Sequence, residues 1–320
     1  MELNDVLQAA ADSGATDVHL QEGRLPLLRI RQRLTPWGQD AVCRQDIRQI
    51  LQTLQLPEPS ERGDSAAAFS WNGGIRCRLH VSVEHAGFHA ALRLLYPLHF
   101  LPPDADEALL HRLGGLNDGL VLICGATGSG KTTALWRILS DVNEQRPCHI
   151  ITLEDPIEYV LAGQQALISQ REEGTHFFGF ADAVRDALRQ DPDILLIGEM
   201  RDKETMSAAL AAAETGHLVF ATLHTRSAAQ AISRLTGSYD GEEQNEIRNR
   251  LALVMQAILA QQRRCDEQGT YILREILLHT PAVAQLIRTG CEHQLTTVMQ
   301  TGGALGMRTM EQAVQAYRQR

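Results

Sequence analysis

Gly119-Leu-Val-Leu-Ile-Cys124-Gly125-Ala126-Thr127-Gly128-Ser129-Gly130-Lys131-Thr132-Thr133 is the stretch on which the reading of the whole chain turns. An apolar run of strand length ends at Gly125, and a segment with helical character, residues 133–145, begins after it. Between them stands the full pattern GxxxxGK[S/T]. Glycines at these positions let backbone N–H groups turn inward and approach phosphate oxygens closely. The helix N-terminus that follows adds partial positive charge. Gly125 through Thr133 are therefore the expected nucleotide-phosphate residues. Lys131 is expected to neutralise β- and γ-phosphate charge, and the Thr132 hydroxyl to join a magnesium shell.

Working outward, short apolar runs recur after Gly119: residues 120–125, 149–154, 193–199, 217–224 and 271–280, separated by helical stretches. Near-continuous apolar runs of this length mark strands of a mainly parallel sheet covered on both faces. The expected architecture for 119–320 is an α/β domain. From about Glu242 its last part reads as helical, because residues 242–262 keep apolar side chains at helical spacing.

Three further clusters accompany the glycine loop. In Ile194–Asp202 an apolar strand runs into Glu199, with Gly198 where phosphate-loop enzymes usually keep an Asp. Glu199 is the expected general base or orienter of an attacking water, and a magnesium-ordering group. Glu154, Asp155 and Glu158 follow the second strand, at the edge where α/β sheets bind ligands. They suit a magnesium shell, direct or through water, and equally a solvated acidic turn. His217 and His224 flank another strand, expected at the same edge, as phosphate-sensing donors or as structural residues.

Upstream lies a different texture. Pro26–Leu34 is one expected strand. Ile75, Cys77, Leu79, Val81 and Val83 alternate with Arg76, Arg78, His80, Ser82 and Glu84, the period of a half-buried strand. A turn at His85–Gly87 returns the chain as a second strand, Phe88–Tyr96, with Arg93 on the polar side alongside Arg76 and Arg78. Residues 1–97 form one expected domain, and 98–118, with Pro102 and Pro103, an expected linker.

The 320 residues carry 30 Lys plus Arg against 39 Asp plus Glu, a net charge of −9. That balance argues against sequence-independent nucleic-acid binding, so no direct nucleic-acid partner is expected and a DNA-driven motor is disfavoured. The six cysteines form no CxxC pair, which excludes a zinc knuckle. The N-terminus lacks a signal-peptide pattern and no run reaches a membrane span, so a cytoplasmic location is expected, with membrane contact only through partners.

Taken together, the residues 125–132 (GATGSGKT), 154–159 (EDPIEY), 194–202 (ILLIGEMRD) and 216–228 (GHLVFATLHTRSA) resemble the type II/type IV secretion ATPases, and within them the PilT-type pilus retraction ATPases. Residues 15–20 and the tail segments 280–290 and 299–307 extend the resemblance over nearly the whole chain. The resemblance implies a PAS-like N-terminal domain, a RecA-like ATPase domain, bound ATP and Mg2+, and a homohexamer. That ring would work at the cytoplasmic face of the inner membrane against a platform protein. It casts Lys131 and Thr132 as phosphate and magnesium ligands, and Glu199 as the catalytic acid. Glu154, Asp155 and Glu158 would line the magnesium and water side, and His217 and His224 would couple nucleotide state to shape. Arg78 and Arg93, with Arg76 as a third candidate, would reach a nucleotide from the N-terminal domain. The absence of a tetracysteine module favours retraction over assembly. Lys203 and Arg226 depart from the family pattern by being charged.

Overall fold

The computed structural model describes residues 2–60, 63–72, 74–266 and 269–319. They fall into two compact units, Met1–Pro102 with Cys265–Thr270, and Pro103–Arg264 with Tyr271–Arg320. The two units contain one β-sheet each, and the fold is mixed α/β.

In the first unit, α1 (Leu3–Asp12) buries Leu3, Val6, Leu7 and Ala10, one face of a helix at i, i+3, i+4 and i+7 spacing. It is followed by β1 (Asp17–Gln21), β2 (Leu27–Ile30), β3 (Arg33–Pro36), α2 (Arg44–Thr53), β4 (Ser65–Trp71), β5 (Ile75–Glu84) and β6 (Gly87–Leu95). The strands pair antiparallel in the order β3-β2-β1-β6-β5-β4. The stretch expected as one strand over 26–34 is a hairpin. Arg31 and Gln32 take positive φ (46° and 68°) and turn the chain without a glycine. Alternation governs the central strands. Ile75, Cys77, Leu79 and Val81 enter the core with Phe88, Ala90, Leu92 and Leu94, and the arginines face the other way.

The second unit opens with α3 (Glu107–Gly114), inside the stretch expected as linker and packed on α4. It continues with β7 (Gly119–Cys124), α4 (Lys131–Gln145), β8 (His149–Glu154), β9 (Leu167–Glu172), α5 (Phe180–Ala187), β10 (Ile194–Ile197), α6 (Lys203–Glu214), β11 (Leu218–Leu223), α7 (Ala228–Thr236) and α8 (Gly241–Val254). Then come β12 (Met255–Asp266), β13 (Gly269–Leu278), α9 (Pro281–Arg288), α10 (Leu295–Thr301) and α11 (Met310–Arg318). The sheet order is β13-β12-β7-β11-β10-β8-β9, and from β12 to β9 every neighbouring pair is parallel. β7, β10 and β11 are buried along their whole length, as expected of strands covered on both faces.

The expectation that residues 242–262 are helical throughout is corrected here, while the strand expected at 271–280 is present as β13. α8 ends at Val254, and Met255–Asp266 is a strand beside β7, with β13 on its far side. The apolar run 251–260 satisfies helical spacing and a buried strand alike, and no Gly or Pro marks the switch. Tertiary burial beside β7 decides it, with Ala257, Ile258, Leu259 and Ala260 fully inside.

α3 docks on α4 through Gly114, where an added Cβ would lie 2.9 Å from Val142 and 3.3 Å from Ile138. Gly114→Val is expected to destabilise the protein by about 1–3 kcal/mol through overpacking. A thermal midpoint equal to wild type would show that this helix pair does not depend on the close approach.

Candidate active site

Because the strands around β7 run parallel, the carboxyl ends of β7, β8, β10 and β11 lie along one edge. The loop after β7 is held in the conformation its glycines permit. Gly125 has φ 148°, and a Cβ there would fall 2.4 Å from Ser129 Oγ and 2.6 Å from the Gln261 carbonyl oxygen. Gly130, at φ 91°, is the N-cap of α4. Gly128 is a third left-handed glycine, and with Ala126 and Thr127 it forms the exposed crest of the loop. Beneath the crest, the buried Ser129 Oγ finds no hydrogen-bond partner among the described residues.

Lys131, 8% exposed, turns back on this loop. Its Nζ donates to the carbonyl oxygens of Gly125 at 2.8 Å and Ala126 at 3.3 Å. Burial lowers its pKa, while the nearby carboxylates of Glu199 and Glu158 work in the opposite sense. Thr132 and Thr133 follow on the first turn of α4, half-buried, with Thr133 bonded to the Tyr159 hydroxyl.

Glu199, just beyond β10, is gripped from two sides. Its Oε2 accepts from Arg201 Nε at 2.9 Å, and its Oε1 lies 3.3 Å from His224 Nε2. Arg201 also reaches Asp155 Oδ2 at 3.2 Å, so it ties the ends of β8 and β10 together. Its hydrogen bond to Glu199 is the main reason its pKa is raised. Arg201 was not among the expected site residues; its signal was its spacing, two positions after the strand-end acid. Gly198 explains the missing Asp. A Cβ there would meet the Leu153 carbonyl at 3.0 Å and Glu154 Cα at 3.3 Å, so the chain needs a small residue where β8 and β10 draw together.

Glu154 is 4% exposed and accepts from Thr152 Oγ1 at 2.6 Å and Gln170 Nε2 at 3.2 Å. Burial lifts its carboxyl to about 7, against the pull of those bonds. Glu158 lies in the following loop, half-buried, within electrostatic range of Lys131 and Glu154. Thus Lys131, Glu154, Asp155, Glu158, Glu199 and His224 share the edge.

His217 does not join them, and its expected place at this edge is corrected. It precedes β11, and its Nδ1 faces the Ala212 carbonyl at 3.0 Å and Thr215 Oγ1 at 3.1 Å. The six residues of β11 put it roughly 20 Å from the carboxyl edge, at ~3.3 Å per residue.

Arg76, Arg78 and Arg93 lie in the other unit. Arg78 stands directly opposite Arg93, Arg93 opposite Asp17, and Asp17 opposite Arg29, a straight row across four strands. Asp17 Oδ1 accepts from Arg93 Nε at 2.9 Å. Arg76 sits two pairs along, its Nε buried without a partner among the described residues. The unexpected charge of Lys203 is met by Glu243 Oε2 at 2.6 Å.

A glycine loop between a buried strand and a helix, with its lysine facing an acid from the parallel strand next but one in the sheet, defines a phosphate-loop α/β protein. A family model described as Type II/IV secretion system protein matches residues 95–318. The chain belongs to that family and is of the PilT type within it. The "Uncharacterized protein YggR" of Escherichia coli is 41% identical over 98% of both chains. The "Type IV pilus retractation ATPase PilT" of Pseudomonas aeruginosa is 37% identical over 97% of this chain and 92% of its own. A solved structure, titled the pilus retraction motor PilT and bound ADP, superposes with a TM-score of 0.82 at 32% identity. It covers 100% of this chain and 94% of its own. Among the described residues no helix is long and apolar enough to cross a membrane.

Glu154 yields a pH signature. In magnesium-free buffer its folded carboxyl titrates near 7 against an ordinary 4.5, so the folded protein holds a proton that the unfolded chain releases between those values. Its contribution to stability is present below about pH 4.5 and is lost as pH rises through about 7. Glu154→Gln is expected to remove that slope. Denaturant unfolding across the range checks it, and an unchanged slope in the variant would refute the assignment.

Proposed function

We propose that this protein is an ATP-hydrolysing motor that drives pilus retraction, acting as a homohexamer at the cytoplasmic face of the inner membrane against a platform protein. The observation that carries the reading is the shared edge, where Lys131 and the two threonines of the phosphate loop face Glu199 and Glu158. Similarity to relatives named for pilus retraction supports the direction of work.

The loop fits a nucleotide polyphosphate. Its Ser129 hydroxyl is buried and unpartnered, and the space over Gly125 is too tight for any side chain. Backbone N–H groups and Lys131 would hold the β- and γ-phosphates. Thr132, with Glu199 and Glu154 directly or through water, would hold Mg2+, which neutralises charge between those phosphates when bound. Gly125 through Thr133 would form the phosphate cradle, and Asp155 would keep Arg201 beside Glu199. Glu199 accepts a proton from the attacking water and orients it. His224 on its other oxygen senses whether the γ-phosphate is there, and Glu158 faces the same space.

In this reading the first unit is a PAS-like domain and the second a RecA-like one, pivoting at Pro97–Pro103, ahead of α3. Arg78 and Arg93, with Arg76 beside them, would neutralise phosphate charge from a neighbouring subunit. The row gives them three arginines against one aspartate, a net positive strip suited to a polyanion.

Magnesium-dependent ATPase activity, measured against protein concentration with mass in parallel, tests the proposal. Activity is expected to rise as hexamer forms. Lys131→Ala and Glu199→Gln should each lower the rate by about 10²–10³-fold. Arg78→Ala or Arg93→Ala should lower it by about 10³-fold at unchanged assembly. Activity independent of assembly would defeat the motor reading.

A further inference from the structure

Behind the phosphate loop runs a buried polar chain for which the chemistry above has no use. Gln261 on β12 is 2% exposed. Its Nε2 donates to the Ser129 carbonyl oxygen at 3.3 Å, and its Oε1 accepts from Arg274 Nε at 3.0 Å. Arg274 on β13 is 1% exposed. Its Nη2 donates to Asp104 Oδ2 at 2.7 Å and its Nη1 to Asp106 Oδ2 at 3.1 Å, with a further short contact to Asp104 Oδ1. Arg308 completes the group, donating to Asp106 Oδ2 at 2.5 Å and, through Nε, to the Arg274 carbonyl at 2.9 Å. Two guanidinium groups thus meet two carboxylates. Burial works to raise the Asp104 carboxyl, and the bonds and charge of Arg274 outweigh it, holding it below its ordinary value.

Buried ion clusters are weak sources of net stability, so their position matters more than their number. This one ends on the phosphate loop. A trans peptide places its C=O and N–H on opposite sides. Holding the Ser129 carbonyl back therefore turns the Gly130 N–H forward, toward the space a phosphate would fill. Gln261 also meets the loop through its backbone, since its carbonyl oxygen lies where a Cβ on Gly125 would fall, 2.6 Å away.

We propose that Gln261 and Arg274 are positioning residues for the phosphate loop, and that they tie its geometry to Asp104 and Asp106, where the chain enters its second unit. The inference rests on the nucleotide reading of that loop. Binding energy that selects the braced loop must, by reciprocity, firm up the Asp104–Asp106 anchorage.

The test uses the full chain, a fluorescent ADP analogue with magnesium as probe, and hydrogen exchange. Gln261→Met keeps the length and removes both hydrogen bonds. It should raise the Kd about fivefold to tenfold. Asp104→Asn, which touches no loop atom, should raise it about threefold, loosening the clamp at one remove. In wild type, the nucleotide should slow exchange across residues 104–110, and Gln261→Met should abolish that slowing. A lowered thermal midpoint with Kd within about twofold of wild type in both variants would mark the chain as structural only and overturn the proposal. Absence of protection at 104–110 in wild type would do the same. If Gln261→Met does not fold, Asp104→Asn decides alone. If wild type binds no probe, or Lys131→Ala binds as well as wild type, the nucleotide reading falls and this inference with it. Tight wild-type binding with both variants unaffected would fell this inference alone.

Discussion

A lysine ammonium withdrawn from water must be surrounded by oxygen, and much of the second unit is arranged to meet that demand. Lys131 is nearly buried at the start of a helix whose own field is positive. Only loop carbonyls and the carboxylates that follow other strands of the same sheet can balance it. The parallel sheet brings those carboxylates within range, because parallel strands deliver their carboxyl ends to one edge. The left-handed glycines let the loop carbonyls turn toward Nζ. Remove either the parallel order or the glycines, and the ammonium would lose its oxygen neighbours.

The first unit solves a different problem. Its sheet hides one face under α1 and α2 and leaves the other polar, so each row of cross-strand neighbours is a line of side chains at fixed spacing. Like charges directly opposite are unfavourable. Arg78 facing Arg93 is tolerable here because Asp17 takes up Arg93 on the next strand.

How much of this was legible beforehand follows physical lines. The glycine loop could be read because its residue types have no other economical use in that order. The hairpin of β5 and β6 could be read because alternation is strict and a glycine closes it. β12 could not, since an apolar run buried on both faces carries no period to separate strand from helix. The Arg31–Gln32 turn has no turn residue in it. The edge strand β9 is half-exposed and mixed in character. The family pattern pointed to Glu199, yet its clamp by Arg201 depends on where two loops cross, which no single motif encodes. The place of His217 needs one step of topology: a residue before a parallel strand lies at the opposite edge from a residue after it.

Gly198 has one more consequence. By leaving no room beside Glu154, it keeps the ends of β8 and β10 close together and leaves Glu199 as the acid that β10 adds to the edge, beside Asp155 at the end of β8. The absence of an acid at position 198 is therefore set by backbone spacing. Placing a second acid at that point would require two strands to spread before one residue could change.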